Sequence, residues 1–180
     1  MKKIEITSRK LFYAMIITGL IYFASQAAII NILHPIGTDA FMRFQLTFSG
    51  ESMAAILNSW GEAGIETIFR HFYLDFLHPL WYSAFLFFSM IYVKTKLSDY
   101  KQFSSVPKYV FLPFVAAFAD LAENFMEIQI ISTRFDLNKT LVMATGIVSL
   151  IKWLLVLVSI LIIASLLVKL VLTIMTKCRT

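Results

Sequence analysis

Four stretches of the chain are apolar for long enough to cross a bilayer, and the segments between them are polar. A transmembrane helix needs about 20 mainly apolar residues. Runs of that kind cover residues 11–33, 72–93, 109–132 and 140–171. The first follows Lys2, Lys3, Arg9 and Lys10 as a signal peptide would, and Ala24-Ser25-Gln26-Ala27 resembles a cleavage site. A signal peptide's apolar stretch is usually about 7–15 residues. Here the run continues through Ala28-Ile29-Ile30-Asn31-Ile32-Leu33, so it reads as a retained span. The third run is entered through Pro107 and carries Pro113 in its first turns, where proline is tolerated or kinks the helix. The fourth would be about 48 Å long as a helix, against a hydrocarbon core of about 30 Å, so it should tilt or project beyond the membrane.

Residues 34–70 are too polar to span. Pro35-Ile36-Gly37-Thr38-Asp39 reads as a turn, Ser49 or Ser52 as an N-cap, and Gly61 and Gly64 as breaks. The pattern predicts a short amphipathic helical segment on the outer surface, with Trp60 at the interface. The fold class expected is therefore an all-α integral membrane protein, a single four-helix membrane bundle over residues 1–180 with that external segment between its first two helices.

Charge gives this frame an orientation. With the N-terminus inside, Lys2, Lys3, Arg9, Lys10, Lys94, Lys96, Lys101, Lys108, Lys169, Lys177 and Arg179 all fall on the cytoplasmic side. Only Arg43, Arg70, Arg134 and Lys139 fall outside, and Lys152 lies within a span. That asymmetry follows the positive-inside rule and predicts both termini in the cytoplasm of an inner-membrane protein. An odd number of spans would mix the basic loops between the two sides.

Composition narrows the function classes. The 180 residues are 59% hydrophobic and 15% charged, against roughly 45–50% and about 25% in ordinary soluble domains. The net charge of +5 does not indicate nucleic acid, because the basic residues flank apolar runs and form no stripe. Cys178 is the only cysteine, which excludes an internal disulfide, a cysteine-rich zinc site and a CxxC redox pair. No nucleophile motif, Gly-rich phosphate loop or cofactor fingerprint is present, and no repeat or low-complexity tract.

The informative residues are the polar ones inside the spans, because a charge there costs about 2.5–3.5 kcal/mol on insertion scales and usually faces the bundle interior. The third span carries Asp120, Glu123, Asn124 and Glu127 at i, i+3, i+4, i+7, on one helix face. The second carries Asp75 and His78, the fourth Lys152 and the first Gln26. Counting helix rise from the outer ends places Asp75 and Glu127 about 7 Å deep and His78 and Glu123 about 12–13 Å deep. Asp120 and Lys152 fall deeper still, at about 18–20 Å.

Two expectations follow. Asp120 and Lys152 should form an ion pair near the bilayer middle, for which a structural, register-setting role is the plain reading. Asp75, His78, Glu123, Asn124 and Glu127 should line a cavity near the outer leaflet, since one lysine cannot neutralise so many acids. Trp81 and Tyr82 would join its lining with Gln26, while His71 and Tyr73 read as interfacial residues. A lone histidine is more often a satisfied hydrogen-bonding residue than a ligand, so three chemistries stay open. The cavity could bind a lipid-like or amphipathic small molecule. Asp75, His78 and Glu123 could act as acid and base on a lipid-like substrate. Or His78, Glu123 and Glu127 could hold a divalent metal, as bundle proteins do with Glu and His pairs. A different class of function, an accessory or scaffold subunit binding a protein partner, is suggested by the overlong fourth helix and its basic end.

The runs Ser59-Trp60-Gly61-Glu62-Ala63-Gly64, Tyr73-Leu74-Asp75-Phe76-Leu77-His78-Pro79-Leu80-Trp81-Tyr82 and Asp120-Leu121-Ala122-Glu123-Asn124 resemble small bacterial four-span membrane proteins of unassigned function. The resemblance covers the middle of the chain and implies a membrane bundle without implying an activity.

Overall fold

A computed structural model describes residues 8–98, 107–133 and 137–177 and is all-α, with no strand among them. Lys2, Lys3, Lys101, Arg134, Cys178 and Arg179, which entered the charge and cysteine arguments, lie outside the described residues. The helices are α1 (Ser8–Leu33), α2 (Thr38–Gln45), α3 (Gly50–Asp75), α4 (His78–Ser98), α5 (Leu112–Ser132) and α6 (Lys139–Lys177). Three segments, Ser8–Leu33, Lys108–Ser132 and Lys139–Lys177, are long and apolar enough to cross a membrane. The pair α3 and α4, bent by 42° at the break between them, passes the same test as one broken span.

The distribution of polarity is that of a protein solvated by lipid. Glu123 and Glu127 are 0% exposed, whereas Leu20 and Phe118 are 67% and 72% exposed. Water would reverse that arrangement; a bilayer favours it.

Local sequence explains the ends of the helices. Ser49 caps α3 by accepting from the Ser52 amide, as one of the two expected serines. Asn138 caps α6 through its Oδ1, which accepts from Thr140 and Leu141 at 3.0 and 3.2 Å. Pro113 sits in the first turn of α5, where its missing N–H has no helical partner to lose, so it starts the helix and does not kink it. α6 is 39 residues long, about 58 Å at helical rise. Beyond Ser159 none of its described residues is buried.

Two expectations are corrected. The predicted second span does not run unbroken from Phe72 to Val93: it breaks at Phe76 and Leu77, and α4 begins at His78. Pro79 is the cause. It has no N–H to give the carbonyl four residues back, and its ring crowds that carbonyl. The freed acceptor belongs to Asp75, and Asn124 Nδ2 of α5 donates to it at 3.4 Å. A side chain of a neighbouring helix thus restores the hydrogen bond that proline removed.

The second correction concerns residues 34–70. They are not one short helix: they form α2 and most of α3, with the apolar face turned onto the bundle. Met53, Leu57, Ile65, Ile68 and Phe72 of α3 are buried with Phe41 and Phe44 of α2, Ile29 and Leu33 of α1, Ile130 and Ile131 of α5, and Val142 of α6. Their i, i+3, i+4 spacing makes one apolar stripe that caps one end of the bundle. Gly61 lets the stripe change direction, with φ 58° and ψ −167°, a conformation essentially reserved for glycine. Trp60 is half-buried and packs its ring 5.2 Å from that of Phe44.

A smaller apolar cluster of Tyr82, Leu86, Ala116 and Ala117 lies further along α4 and α5. Along α5 the polar residues Asp120 to Glu127 fall between the two clusters. α5 packs along α6, whose buried small residues Thr145, Ser149 and Ser159 bond their hydroxyls back to their own helix. Small side chains with self-satisfied hydroxyls let helices approach closely in lipid.

Candidate functional site

α4 packs against α1, α5 and α6, whereas α1 and α6 share no packed seam. Between those two helices lies a cavity of about 520 Å³, floored by α4 and roofed by α2. Its apolar walls include Phe23 and Ile30 of α1, and Trp153, Val156 and Ile160 of α6. Ile30 and Ile160 are each about half exposed, so the cavity opens sideways, where lipid would stand. Its polar lining is contributed by Gln26, Gln45, His71, Asp75, His78, Tyr82, Asp120 and Lys152.

Five of these polar side chains have an identifiable polar partner. Lys152 Nζ lies 3.2 Å from Asp120 Oδ1 and also contacts Glu123 Oε2, making a three-membered ion cluster between α5 and α6. The same ammonium lies 5.2 Å from the centre of the Trp153 ring. Asp75 Oδ1 stands 3.6 Å from His71 Nε2, one turn earlier on α3. His78 Nδ1 lies 2.8 Å from Ser25 Oγ. The hydroxyl of Ser25 already donates to the Tyr22 carbonyl at 2.8 Å. A serine has one hydrogen to give; with it on the Tyr22 carbonyl, His78 is the tautomer protonated on Nδ1 and donates to Ser25. That leaves Nε2 with its lone pair. The imidazole is held between Tyr22 and Tyr82, at ring distances of 5.4 and 5.7 Å.

The expected outer cavity is therefore divided. Asp75, His78, Tyr82 and Gln26 line the open space together with Asp120 and Lys152. Glu123, Asn124 and Glu127 are fully buried behind them, in the packing of α5 against its neighbours. The two carboxyl oxygens of Glu127 have no hydrogen-bond partner among the described residues. Trp81 does not line the cavity: successive helical residues point about 100° apart, and Tyr82 takes the inward direction. His78 and Glu123 have different partners: His78 meets Ser25 of α1, and Glu123 meets Lys152 of α6.

The metal set His78, Glu123 and Glu127 is also not assembled. Among the described residues, no three His, Cys, Asp or Glu side chains are grouped to hold a metal ion. The ligand capacity of His78 Nδ1 is spent on Ser25, and Lys152 occupies the approach to Glu123.

Sequence reasoning missed two contributors. His71 is buried, not interfacial, and lies in the cavity wall. Its signal was the stripe Gly64, Ile65, Ile68, His71, Phe72, Asp75, which continues the amphipathic period of α3 and puts His71 and Asp75 on its inner face. Tyr22 shares the inward face of α1 with Ser25, Gln26 and Ile29, where apolar periodicity is nearly featureless because the exposed face is apolar as well.

Comparison with protein families, with curated proteins and with solved structures finds no match for this chain. The reading of the site rests on its own geometry.

Proposed function

We propose that the chain is a four-span inner-membrane bundle with cytoplasmic termini, and that it binds or handles a lipid-like or amphipathic small molecule in the cavity between α1 and α6. The observation that carries this reading is the shape and polarity of that cavity: a polar inner end, apolar walls and a mouth on the lipid-facing side. Its volume of about 520 Å³ lies within the range of about 300–1,000 Å³ usual for small-molecule sites. A molecule with an apolar tail could enter from the bilayer without crossing water, leaving its head among the polar groups.

Photolabelling tests the reading. Purified protein in nanodiscs, exposed to a diazirine-bearing dodecanol, should be labelled on cavity residues. Ile30→Trp with Ile160→Trp fills the two walls at half-exposed positions, where extra bulk is borne by lipid. The double variant should keep its melting temperature and lose most of the labelling. Equal labelling of both proteins would rule the cavity out. The orientation has its own check: a reporter fused after Thr180 should read as cytoplasmic, and an external reading would reverse the charge argument.

A further inference from the structure

We infer that the head group taken by this cavity is a protonated amine, so that the ligand is an alkylammonium-like cation with an apolar tail. The inference rests on the proposed binding role and specifies its chemistry.

Charge is the first ground. Asp75 and Asp120 line the cavity, with Glu123 and Glu127 behind them, and the described polar core holds one basic side chain, Lys152. That ammonium is already shared by Asp120 and Glu123. Asp75 has the imidazole of His71 at 3.6 Å and the Asn124 amide near its carboxyl, and it lies within the field of Lys152 without an ion pair to it. Carboxylates in a water-poor space are stabilised most by a cation with hydrogens to donate.

The second ground is independent of charge. Tyr82 is 7% exposed and lines the cavity, and its hydroxyl, with the Asp120 carboxylate near it, completes no hydrogen bond of good geometry among the described residues. Buried hydroxyls are nearly always partnered, so one left open at a cavity wall marks where a ligand atom belongs. The third ground is the tautomer of His78. With Nδ1–H committed to Ser25, its other nitrogen can only accept. An ammonium offers three donors and no acceptor, which complements the Asp75 carboxylate, the Tyr82 oxygen and His78 Nε2. A carboxylate head would meet the Asp75 and Asp120 carboxylates beside a Lys152 ammonium already shared by Asp120 and Glu123, and an alcohol has one hydrogen for these acceptors.

The test is competition against the photoreactive dodecanol in nanodiscs by dodecylamine, dodecanol and dodecanoate. Dodecylamine should compete at a concentration at least about tenfold below the other two, the scale of hydrogen bonds to charged groups. Asp75→Asn should bring the three within about threefold of one another. This variant is nearly isosteric and leaves the Asp75 backbone carbonyl free to accept from Asn124, and an unchanged melting temperature would show that it folds. Equal competition by all three in the native protein, or preference for dodecanoate, would overturn the ammonium assignment while the binding reading stood. A preference for dodecylamine that survives Asp75→Asn would overturn the placement of the head group. Absence of labelling that the Ile30→Trp, Ile160→Trp protein also lacks would remove the binding reading itself.

Discussion

Lys152→Met should be the most damaging single substitution in the chain, lowering stability by about 3–5 kcal/mol, the usual cost of breaking a buried ion pair from one side. The ammonium is 6% exposed, and its partners Asp120 and Glu123 are 7% and 0% exposed at the side chain. Methionine matches the length of the lysine stem, so the loss would not come from a cavity. It would come from two carboxyl groups left without a counter-charge, and with Glu127 one turn further along α5. The single change should show as a strong fall in monodisperse protein by size-exclusion chromatography and in melting temperature. Lys152→Met combined with Asp120→Asn and Glu123→Gln should recover much of that loss, because neutral groups of the same shape ask for no compensation. A Lys152→Met protein as stable as the native one would show that the cluster holds nothing together.

The second large effect is expected at Gly146→Val. A Cβ at residue 146 would meet the Thr47 carbonyl oxygen at 2.6 Å and the Phe48 ring at 2.9 Å. The loop that leaves α2 therefore rests directly on the α6 backbone, and glycine is what allows it. Overpacking of this kind typically costs about 1–3 kcal/mol, and a backbone oxygen cannot turn aside as a side chain can. Because α2 roofs the cavity, the damage should be local as well as global. Gln45, 3% exposed in the roof, would become reactive as Gln45→Cys to a small maleimide in the valine variant and stay protected in the glycine parent. Protection in both proteins, with equal melting temperatures, would show that the roof does not depend on this contact.

The helical class and the buried acids of α5 were legible from order along the chain alone. Runs of about 20 apolar residues have one low-energy solution in lipid, because every backbone group must be bonded within the segment. The spacing of Asp120, Glu123, Asn124 and Glu127 needs only the helical period to place them on one face. Helix rise also brings Lys152 level with Asp120, since two antiparallel neighbours of similar length share one depth scale. Depth, however, says nothing of direction around the helix axis. Depth alone put His78 beside Glu123, whereas the chain bends by 42° at Phe76 and Leu77 and His78 meets Ser25.

Residues 34–70 show the same limit from another side. Their polarity argued against a span, yet α3 and α4 together pass as one broken span, and polarity cannot say whether an amphipathic stripe meets lipid or protein. Ile65, Ile68 and Phe72 meet Ile130, Ile131 and Val142, residues more than 50 positions away. Pro79 joined the two levels of description. Its missing hydrogen bond was evident from the residue type, and the partner that replaces it, Asn124, lies 49 positions beyond Asp75, whose carbonyl it bonds.

Helix type, approximate ends, the expected orientation and the stock of buried charge thus follow from local order, because period, length and loop charge are properties of neighbours along the chain. The pairing of those charges, the cavity between α1 and α6, and the enclosure of His71 were decided by tertiary packing. Each depends on the rotation of one helix against another, and that rotation is set by contacts such as Gly146 against Thr47 that residues distant along the chain make only once folded.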